Sequence, residues 1–496
     1  MSFALIKKIK QIFFKKNSFF WEFSFFLSLV FLFFKYWRKQ LFINYIDYGD
    51  GCIIYEANLF KNGLIIYKDF FAPQPPIIYL VGAFILKIFN NPLIIKYFLF
   101  FLFLSGNIIA FYIISRFLNN KIISFFTVIF ANIFFNNIYW WPTFTGESFL
   151  RFFILLMLLY LLPIEKINKN KLIFFSFFLN LIFFTKFTSV FFILFMSCFL
   201  FFFNQKFFLI FLKYFFMFFL LFLFIFLFFF GDNFLFQTVL LRSLLSFKKI
   251  KTSLLSTIYF SIKSFPFFSL NSIIGFFFFK KKKYSKSLLS FIYPFWFPNL
   301  IFNFFEGTYL YIFYPVEIFI LLGFFYVIFY FNKIKINLFL KTLISFFSFW
   351  ITLIFIYQFQ VLKANYFLAT NKFDIDTTKK VIELIKKKSK RDEEIISPPF
   401  FAVFSNRRVF NNFHDPFFLY YYLIKKNKSN LRLDLFDNAI ATLKKERPNL
   451  VIVDWRIKKI LNILDTNYFL SYKKIEEVNF LNNKNESLEI YIKKND

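Results

Sequence analysis

The chain has 496 residues, 59% of them hydrophobic, and carries 60 Lys and Arg against 27 Asp and Glu for a formal net charge of +33. That apolar content exceeds what a single soluble core needs, which places the chain among integral membrane proteins. The charge does not read as nucleic-acid binding, because the lysines gather between hydrophobic runs and no nucleic-acid-binding motif accompanies them.

The phenylalanines number 100 and the glycines 10, a bias read as the drift of an AT-rich genome, not as an aromatic binding surface. With one histidine, His414, and two cysteines, Cys52 and Cys198, no His/Cys metal site can be assembled. No metal or cofactor is expected.

At the start of the chain, Lys7, Lys8, Lys10, Lys15 and Lys16 precede an apolar run from Phe19 to Phe34. No small-residue cleavage site follows, so the run reads as an uncleaved first span with its basic flank in the cytoplasm. The loop 37–76 then lies outside. Within it, Asp47, Asp50, Glu56 and Asp69 crowd together with glycines and the double proline Pro75-Pro76. The next apolar segment, Pro75–Phe89, is shorter than the roughly 20 residues a span needs and reads as a re-entrant or juxtamembrane helix beneath that loop.

Further segments near 94–117, 121–139, 147–163, 171–185, 187–203, 207–230, 255–279, 288–303, 309–331 and 338–360 are expected to cross alternately. Five basic loops, at Arg116 to Lys121, Lys166 to Lys171, Asn204 to Lys206, Lys280 to Lys283 and Lys333 to Lys335, then share the cytoplasmic side, as the positive-inside rule requires. The count is about eleven crossings, with twelve or thirteen as the alternative. The outer face would hold the acidic loop, Tyr139 to Glu147, the turn Thr185-Lys186-Phe187, the loop from Gly231 to Lys251 and Glu306-Gly-Thr-Tyr309, with Trp37, Trp140 and Trp141 in an interfacial belt.

Beyond residue 361 the composition turns polar and mixed. Val381, Ile382, Leu384 and Ile385 mark one face of a short helix ending in lysines. Strand-like runs follow at Phe400–Phe404 and Leu450–Val453, and a helix from about Asn438 to Glu446 would be capped by Asp437. The fold class is therefore an α-helical polytopic membrane protein, residues 1–361, with a small extracytoplasmic α/β domain, residues 362–496. Its place is the inner (plasma) membrane, with the N-terminus cytoplasmic.

Nothing resembles a phosphate-cradling Walker loop or a dinucleotide fingerprint, so chemistry on the outer face must use a substrate whose energy is already stored in a bond. A sugar phosphate carried on a membrane lipid meets that condition. The order of the acidic loop, Ala57-Asn-Leu-Phe-Lys-Asn-Gly63, Tyr67-Lys-Asp-Phe70 and Pro75-Pro76-Ile-Ile-Tyr79-Leu resembles the first extracytoplasmic loop of the C-type (GT-C) glycosyltransferase superfamily. The branch it is most similar to holds the protein O-mannosyltransferases and the lipid A aminoarabinose transferases. Phe184-Thr-Lys186-Phe-Thr-Ser resembles that family's lysine turn, and Gly307-Thr-Tyr-Leu-Tyr-Ile-Phe-Tyr-Pro315 its late Tyr-rich span. The tail around Arg447 to Asp454 resembles a strand of the family's periplasmic domain. One departure stands out: Gln74 occupies the place before the double proline where the aminoarabinose transferases have lysine.

The resemblance implies transfer of one sugar from a polyprenyl-phosphate donor to an acceptor hydroxyl of a protein, a lipid-linked glycan or a lipid A-like molecule. An acidic first-loop residue would be the general base. Physically, an attacking hydroxyl needs a carboxylate within hydrogen-bond reach, and the departing phosphate needs cations. Asp50 is the first candidate and Asp47 the second, the alternative for each being a cap or a turn-stabilising role. Lys186 is the candidate phosphate ligand, against simple snorkelling to the interface; Arg242 is a second cation in the next outer loop. Glu56, Glu147 and Glu306 are further candidates for the substrate site, against a solvated or pairing role for Glu56 and a structural role at the outer ends of spans for Glu147 and Glu306; Tyr309 could stack on a sugar, against a plain interfacial role. His414 reads as a surface or core residue. The rival function is a transporter or flippase of lipid-linked sugars, which would place polar residues deep in the spans and show related halves.

Overall fold

The computed structural model describes residues 18–32, 44–45, 48–134, 144–241, 271–296, 318–319, 322, 372–373, 375–391, 393–426, 434–480 and 483–494. The described chain is mostly helical. Two of its helices are long and apolar enough to cross a membrane, α4 (Leu93–Leu118) and α9 (Gln205–Phe230), each of 26 residues and so about 39 Å long. Only 6% of the most apolar stretch of α9 is buried, against 50% for α4. Phe216, Leu220, Leu221, Phe224, Phe228 and Phe229 are exposed along α9, a face that water would reject and lipid accepts.

Among the described residues the other helices of this region include α1 (Ser18–Leu32), α2 (Tyr48–Lys61), α3 (Pro76–Phe89), α5 (Lys121–Phe134), α6 (Gly146–Leu161), α7 (Lys169–Phe183), α8 (Val190–Phe203) and α10 (Tyr284–Trp296), and residues 271–280 are helical as well. Their stops are written in the local chemistry. Helix α2 ends in a Schellman motif, with Gly63 at φ 94° and the Leu64 N–H reaching back to Leu59 C=O at 3.3 Å. Helices α3 and α4 end at Asn90 and Asn119 in the left-handed region, where asparagine is tolerated. Segments of apolar sequence and observed helices therefore coincide closely from 94 to 230.

Two apolar cores lie at opposite ends of the helices. One holds Ile113, Leu118, Leu161, Leu162, Ile164, Phe199 and Leu288, the other Ile95, Leu99, Phe149, Phe184, Phe226 and Phe230. At the first end the turn after α6 meets the start of α10: Ser285 Oγ accepts from the Ile164 N–H at 3.0 Å, and the Ser285 N–H donates to Glu165 Oε1 at 2.9 Å. Lys166, Lys169, Lys171, Lys206 and Lys280 to Lys283 flank these same turns. At the second end lie α2, the loop after it, the start of α6, the turn 184–189 and residues 231–241.

Helix α3 stays at that second end. Its 14 residues span about 21 Å, short of a bilayer core of about 30 Å. It packs along α2 so closely that a Cβ on Gly82 would lie 2.8 Å from Ala57 Cβ, and Asn90 at its end accepts from Lys61 at the end of α2 at 2.5 Å.

The C-terminal region holds α11 (Ile375–Lys388), α12 (Pro399–Ser405), α13 (Pro416–Lys426), α14 (Asp434–Lys445) and α15 (Trp455–Leu464) around an antiparallel sheet of β1 (Leu450–Val453), β2 (Tyr472–Phe480) and β3 (Asn483–Lys493), in the order β1-β3-β2. Val381 and Ile385 form the buried stripe of α11, and β1 is buried throughout. Two expectations are corrected. Phe400–Phe404 is helix, not strand: Pro399 sits in its first turn, Phe400 to Val403 are buried in unbroken succession, and no alternating pattern distinguishes strand from helix in such a run. Helix α14 begins at Asp434, so Asp437 lies inside it, where its carboxylate accepts from Tyr422 Oη at 2.8 Å.

The larger core of this region is shared. Phe71 packs on Phe418 and Phe436 with ring centroids 5.2 and 4.8 Å apart, and the same apolar cluster runs from the first loop through Phe413, Leu419 and Ile457. The tail and the first loop thus exclude water together.

Candidate functional site

Helix α2 carries the acidic sequence. Asp50 lies in its first turn, and the chain there is pressed against the tail: a Cβ on Gly51 would stand 3.0 Å from both the backbone N and Cβ of Phe400. Only glycine allows α2 and α12 to meet at this distance. The Asp50 side chain, Asp47, Arg242, Glu306 and Tyr309 lie outside the described residues, as do Trp37, Trp140 and Trp141.

Two turns along α2, Glu56 faces inward and is wholly buried. Its Oε1 lies 3.5 Å from His414 Nε2, and the Tyr79 hydroxyl is its other polar neighbour. Glu56 is therefore not solvated; it approaches a residue 358 positions away, yet among the described residues neither of its carboxylate oxygens has a hydrogen-bond partner. His414 Nε2 also stands 2.9 Å from Phe71 C=O. A carbonyl only accepts, so this nitrogen carries a proton and the Glu56 carboxylate lies beside a donor. The Cys52 thiol donates to the His414 C=O at 3.0 Å, which fixes the imidazole's own backbone. Burial raises the Glu56 pKa, with His414 and Tyr79 opposing the rise. Burial alone would lower His414, but the neighbouring Glu56 outweighs it and the net shift is upward.

The loop from Gly63 to Pro76 is held in an unusual conformation. Tyr67 is buried at φ 68°, a region strained for a bulky residue. Two contacts enforce it: the Tyr67 hydroxyl donates to Gln74 C=O at 2.6 Å, and Gln237 Nε2 donates to Tyr67 C=O at 2.7 Å. Gln237 also accepts the Ala72 N–H at 3.0 Å, so one amide clamps two points of the loop.

Gln74 is where the loop meets the lysine turn. Its backbone N–H donates to the Tyr79 hydroxyl at 3.0 Å, and its side-chain Oε1 accepts from Lys186 Nζ at 3.3 Å. Lys186 is buried and pairs with Glu147 Oε1 at 3.0 Å. Its stem crosses the start of α6 at Gly146, where a Cβ would come 2.8 Å from Lys186 Cδ and 2.9 Å from its Cβ. Lys186 is thus inside a built setting, not snorkelling to an interface. Glu147 is its counter-charge, and the Glu147 Oε2 atom is buried with no hydrogen-bond partner among the described residues.

One turn further into α6, Arg151 is buried beside Asn107, whose Oδ1 accepts from its Nη2 at 2.5 Å, and over the Phe103 ring at 5.1 Å. A Cβ on Gly106 would lie 3.1 Å from Nη1, so that glycine makes room for the guanidinium.

Of the residues singled out in the sequence, the structure brings Glu147 and Lys186 into contact and places Glu56 with His414. Tyr67, Gln74 and Tyr79, which the first-loop motifs contain, and His414 acquire defined contacts here, while Gln237 and Arg151 are added, for which no local pattern gives a signal beyond the rarity of a charge within an apolar run. Among the described residues no group of His, Cys, Asp and Glu is arranged to hold a metal ion. No protein-family model matches the sequence, and no curated protein matches it.

Proposed function

We propose that the protein is a membrane-embedded glycosyltransferase that moves one sugar from a polyprenyl-phosphate donor to an acceptor hydroxyl at the outer face of the membrane. The observation that carries this reading is the convergence of the acidic helix α2, the Gln74 loop and the Lys186 turn, widely separated in sequence, at one end of an apolar helical body. That end is opposite to the lysine-rich turns around Lys166 and Lys280 to Lys283, which the positive-inside rule assigns to the cytoplasm.

The chemistry follows from the groups present. The acceptor oxygen attacks the anomeric carbon, forming the new glycosidic bond as the bond to the phosphate oxygen breaks. The hydroxyl proton passes to a first-loop carboxylate, Asp50 or Asp47, and the lipid phosphate leaves with its negative charge. An ammonium has three donors. Lys186 gives one to Glu147 and one to Gln74, and the third is directed to the phosphate. The acceptor is a protein, a lipid-linked glycan or a lipid A-like molecule.

The test is transfer from labelled polyprenyl-phosphate sugar by purified protein in nanodiscs. Asp50→Asn or Asp47→Asn should lower the rate by about 100-fold or more, the usual share of a general base. Full activity in both variants rejects the assigned base. Translocation of the sugar lipid in proteoliposomes with no product rejects the transferase in favour of a flippase.

A further inference from the structure

The tail carries a concentration of charge that the site described above does not use. Five of the six residues from 386 to 391, at the end of α11, are cations, and Lys386, Lys387, Lys388, Lys390 and Arg391 are all exposed. The ordinary reason for lysines at such a place is the row of free carbonyls that ends a helix. Here another residue fills that role. The buried Arg407 guanidinium donates to the Lys386 C=O at 3.2 Å, and to the Ser389 C=O and Oγ at 2.7 Å each. The acids that follow are also committed. Glu393 accepts the Lys390 N–H on one oxygen at 2.6 Å and Asn449 Nδ2 on the other at 2.9 Å, and Glu394 is the strand partner of Arg408. Lys380, further up α11, is paired with Glu476 at 2.6 Å, whereas among the described residues none of the five cations at its end is in an ion pair. Like charges crowded together repel one another, and a bound anion relieves the repulsion. The cluster also stands close to the candidate site. Arg407 follows α12, whose start meets α2 at Gly51, and two residues on the Val409 N–H donates to the Tyr55 hydroxyl of α2 at 2.7 Å.

We propose that residues 386–391 form a docking surface for an anionic glycan, a saccharide chain that carries repeated carboxylate or phosphate groups. Lysine is a compact point charge without the fork that matches one anion's shape, so a run of four lysines and one arginine reads charge density, not a particular group. Two other polyanions need features that this surface lacks. Basic surfaces that seat in a bilayer carry large apolar side chains beside their charge, and among the described residues those the tail exposes are Trp455, Ile463 and Leu470, none of them on this segment. No aromatic ring lies within 386–391 to stack on a nucleic-acid base. The neighbouring site, read as one that transfers sugar, favours a saccharide over an acidic protein; only that last step rests on the transferase reading. Helix α12 is seven residues and about 10 Å long, so a chain of a few sugar units held at the end of α11 reaches α2.

The test is acetylation footprinting of the full-length protein in nanodiscs of neutral lipid, read by peptide mass spectrometry, with polygalacturonate as the probe and its methyl ester as the uncharged control. Polygalacturonate should slow acetylation of Lys386, Lys387, Lys388 and Lys390 by about fivefold or more, the factor one lysine contributes at an anionic surface, while Lys459 and Lys494 elsewhere on the tail change by less than about twofold. The ester should protect none of them. In Lys386→Gln/Lys387→Gln/Lys388→Gln the probe concentration that half-protects Lys390 should rise by about 100-fold, and in Lys386→Arg/Lys387→Arg/Lys388→Arg it should stay near wild type. Equal protection at Lys459 and Lys494, protection by the ester, or a half-protecting concentration unmoved in the glutamine variant overturns the proposal. Protection by phosphatidylglycerol vesicles or by polyglutamate where polygalacturonate gives none also overturns it, and assigns the surface to the bilayer or to an acidic protein. The footprint needs no sugar transfer. Docking as expected in a protein that consumes no labelled donor leaves the surface standing and counts against the transferase; failed docking in a protein that transfers sugar does the reverse.

Discussion

Replacing Lys186 by methionine keeps the length of the stem that passes Gly146 and removes the ammonium. Both members of the Lys186–Glu147 pair are nearly inaccessible, with side chains 7% and 6% exposed and 3.0 Å between charges. Among the described residues Glu147 Oε2 has no hydrogen-bond partner, so once the lysine is gone only the N-terminal end of α6 opposes the carboxylate's charge. Removing one partner of such a pair costs about 3–5 kcal/mol, most of it the penalty of an uncompensated buried charge. At the lower end of the usual conversion for long chains, this should lower the unfolding midpoint by about 5–10 °C. The double variant Lys186→Met/Glu147→Gln carries neither charge and should recover most of the loss, since neutral replacements of a buried pair are often tolerated. Thermal unfolding in detergent, followed by intrinsic fluorescence, reads all three proteins. A midpoint for Lys186→Met within about 1 °C of wild type, or a double variant no more stable than the single one, would refute the description of this pair as buried and mutually dependent. On the proposed transferase reading the double variant should still be inactive in sugar transfer, because it lacks the lysine assigned to the phosphate.

Three further outcomes follow from neighbouring geometry. Gly146→Ala places a methyl group 2.8 Å from Lys186 Cδ and should cost about 1–3 kcal/mol; on the proposed transferase reading it should also raise KM for the lipid donor more than it lowers kcat, which steady-state kinetics check. Gln237→Ala strands the Ala72 N–H and the Tyr67 C=O, at a cost of about 2–4 kcal/mol for the two groups, and should make the 63–76 loop cleavable in limited proteolysis. The pair Glu56–His414 gives a pH dependence with a fixed sign. In the wild type His414 is raised above 6.5, so its contribution is present below 6.5 and is lost as pH rises through the folded value; Glu56, also raised, favours the folded state more as pH falls toward 4.5. In Glu56→Gln the two Glu56 contributions are gone and burial acts on His414 against only the Phe71 carbonyl and Asp415, so its pKa falls below the wild-type one and less stability is gained as pH falls. The stability advantage of wild type over Glu56→Gln should therefore widen between pH 7 and pH 5 in unfolding midpoints, and a constant or shrinking advantage would contradict the pairing.

Much of the helical body is legible in the sequence because a helix whose exposed face is apolar, as that of α9 is, shows as an unbroken apolar run. Its stops are legible too, at Gly63, Asn90 and Asn119, since these residues enter the left-handed region at low cost. Lys186 and the acids of the first loop stand out for the same reason, as charges beside apolar runs. What the sequence hides is who meets whom. Glu56 and His414 are joined only when the tail docks on α2, and no spacing encodes a contact across 358 positions. Gln237 resembles any polar residue near a helix end until its amide is seen holding two backbone groups. The strain at Tyr67 is imposed by tertiary contacts, which override the residue's own preference. Phe400–Phe404 misleads because a short run buried on every side has no period to read.

The most direct test of where the chemistry happens is photo-crosslinking with a polyprenyl phosphate that carries its reactive group at the phosphate end. The account predicts adducts on peptides containing Gln74 and Lys186, lost in Lys186→Met/Glu147→Gln. Adducts confined to the opposite end, near Glu165 and Ser285, or adducts at Lys186 that persist in the double variant, would contradict it.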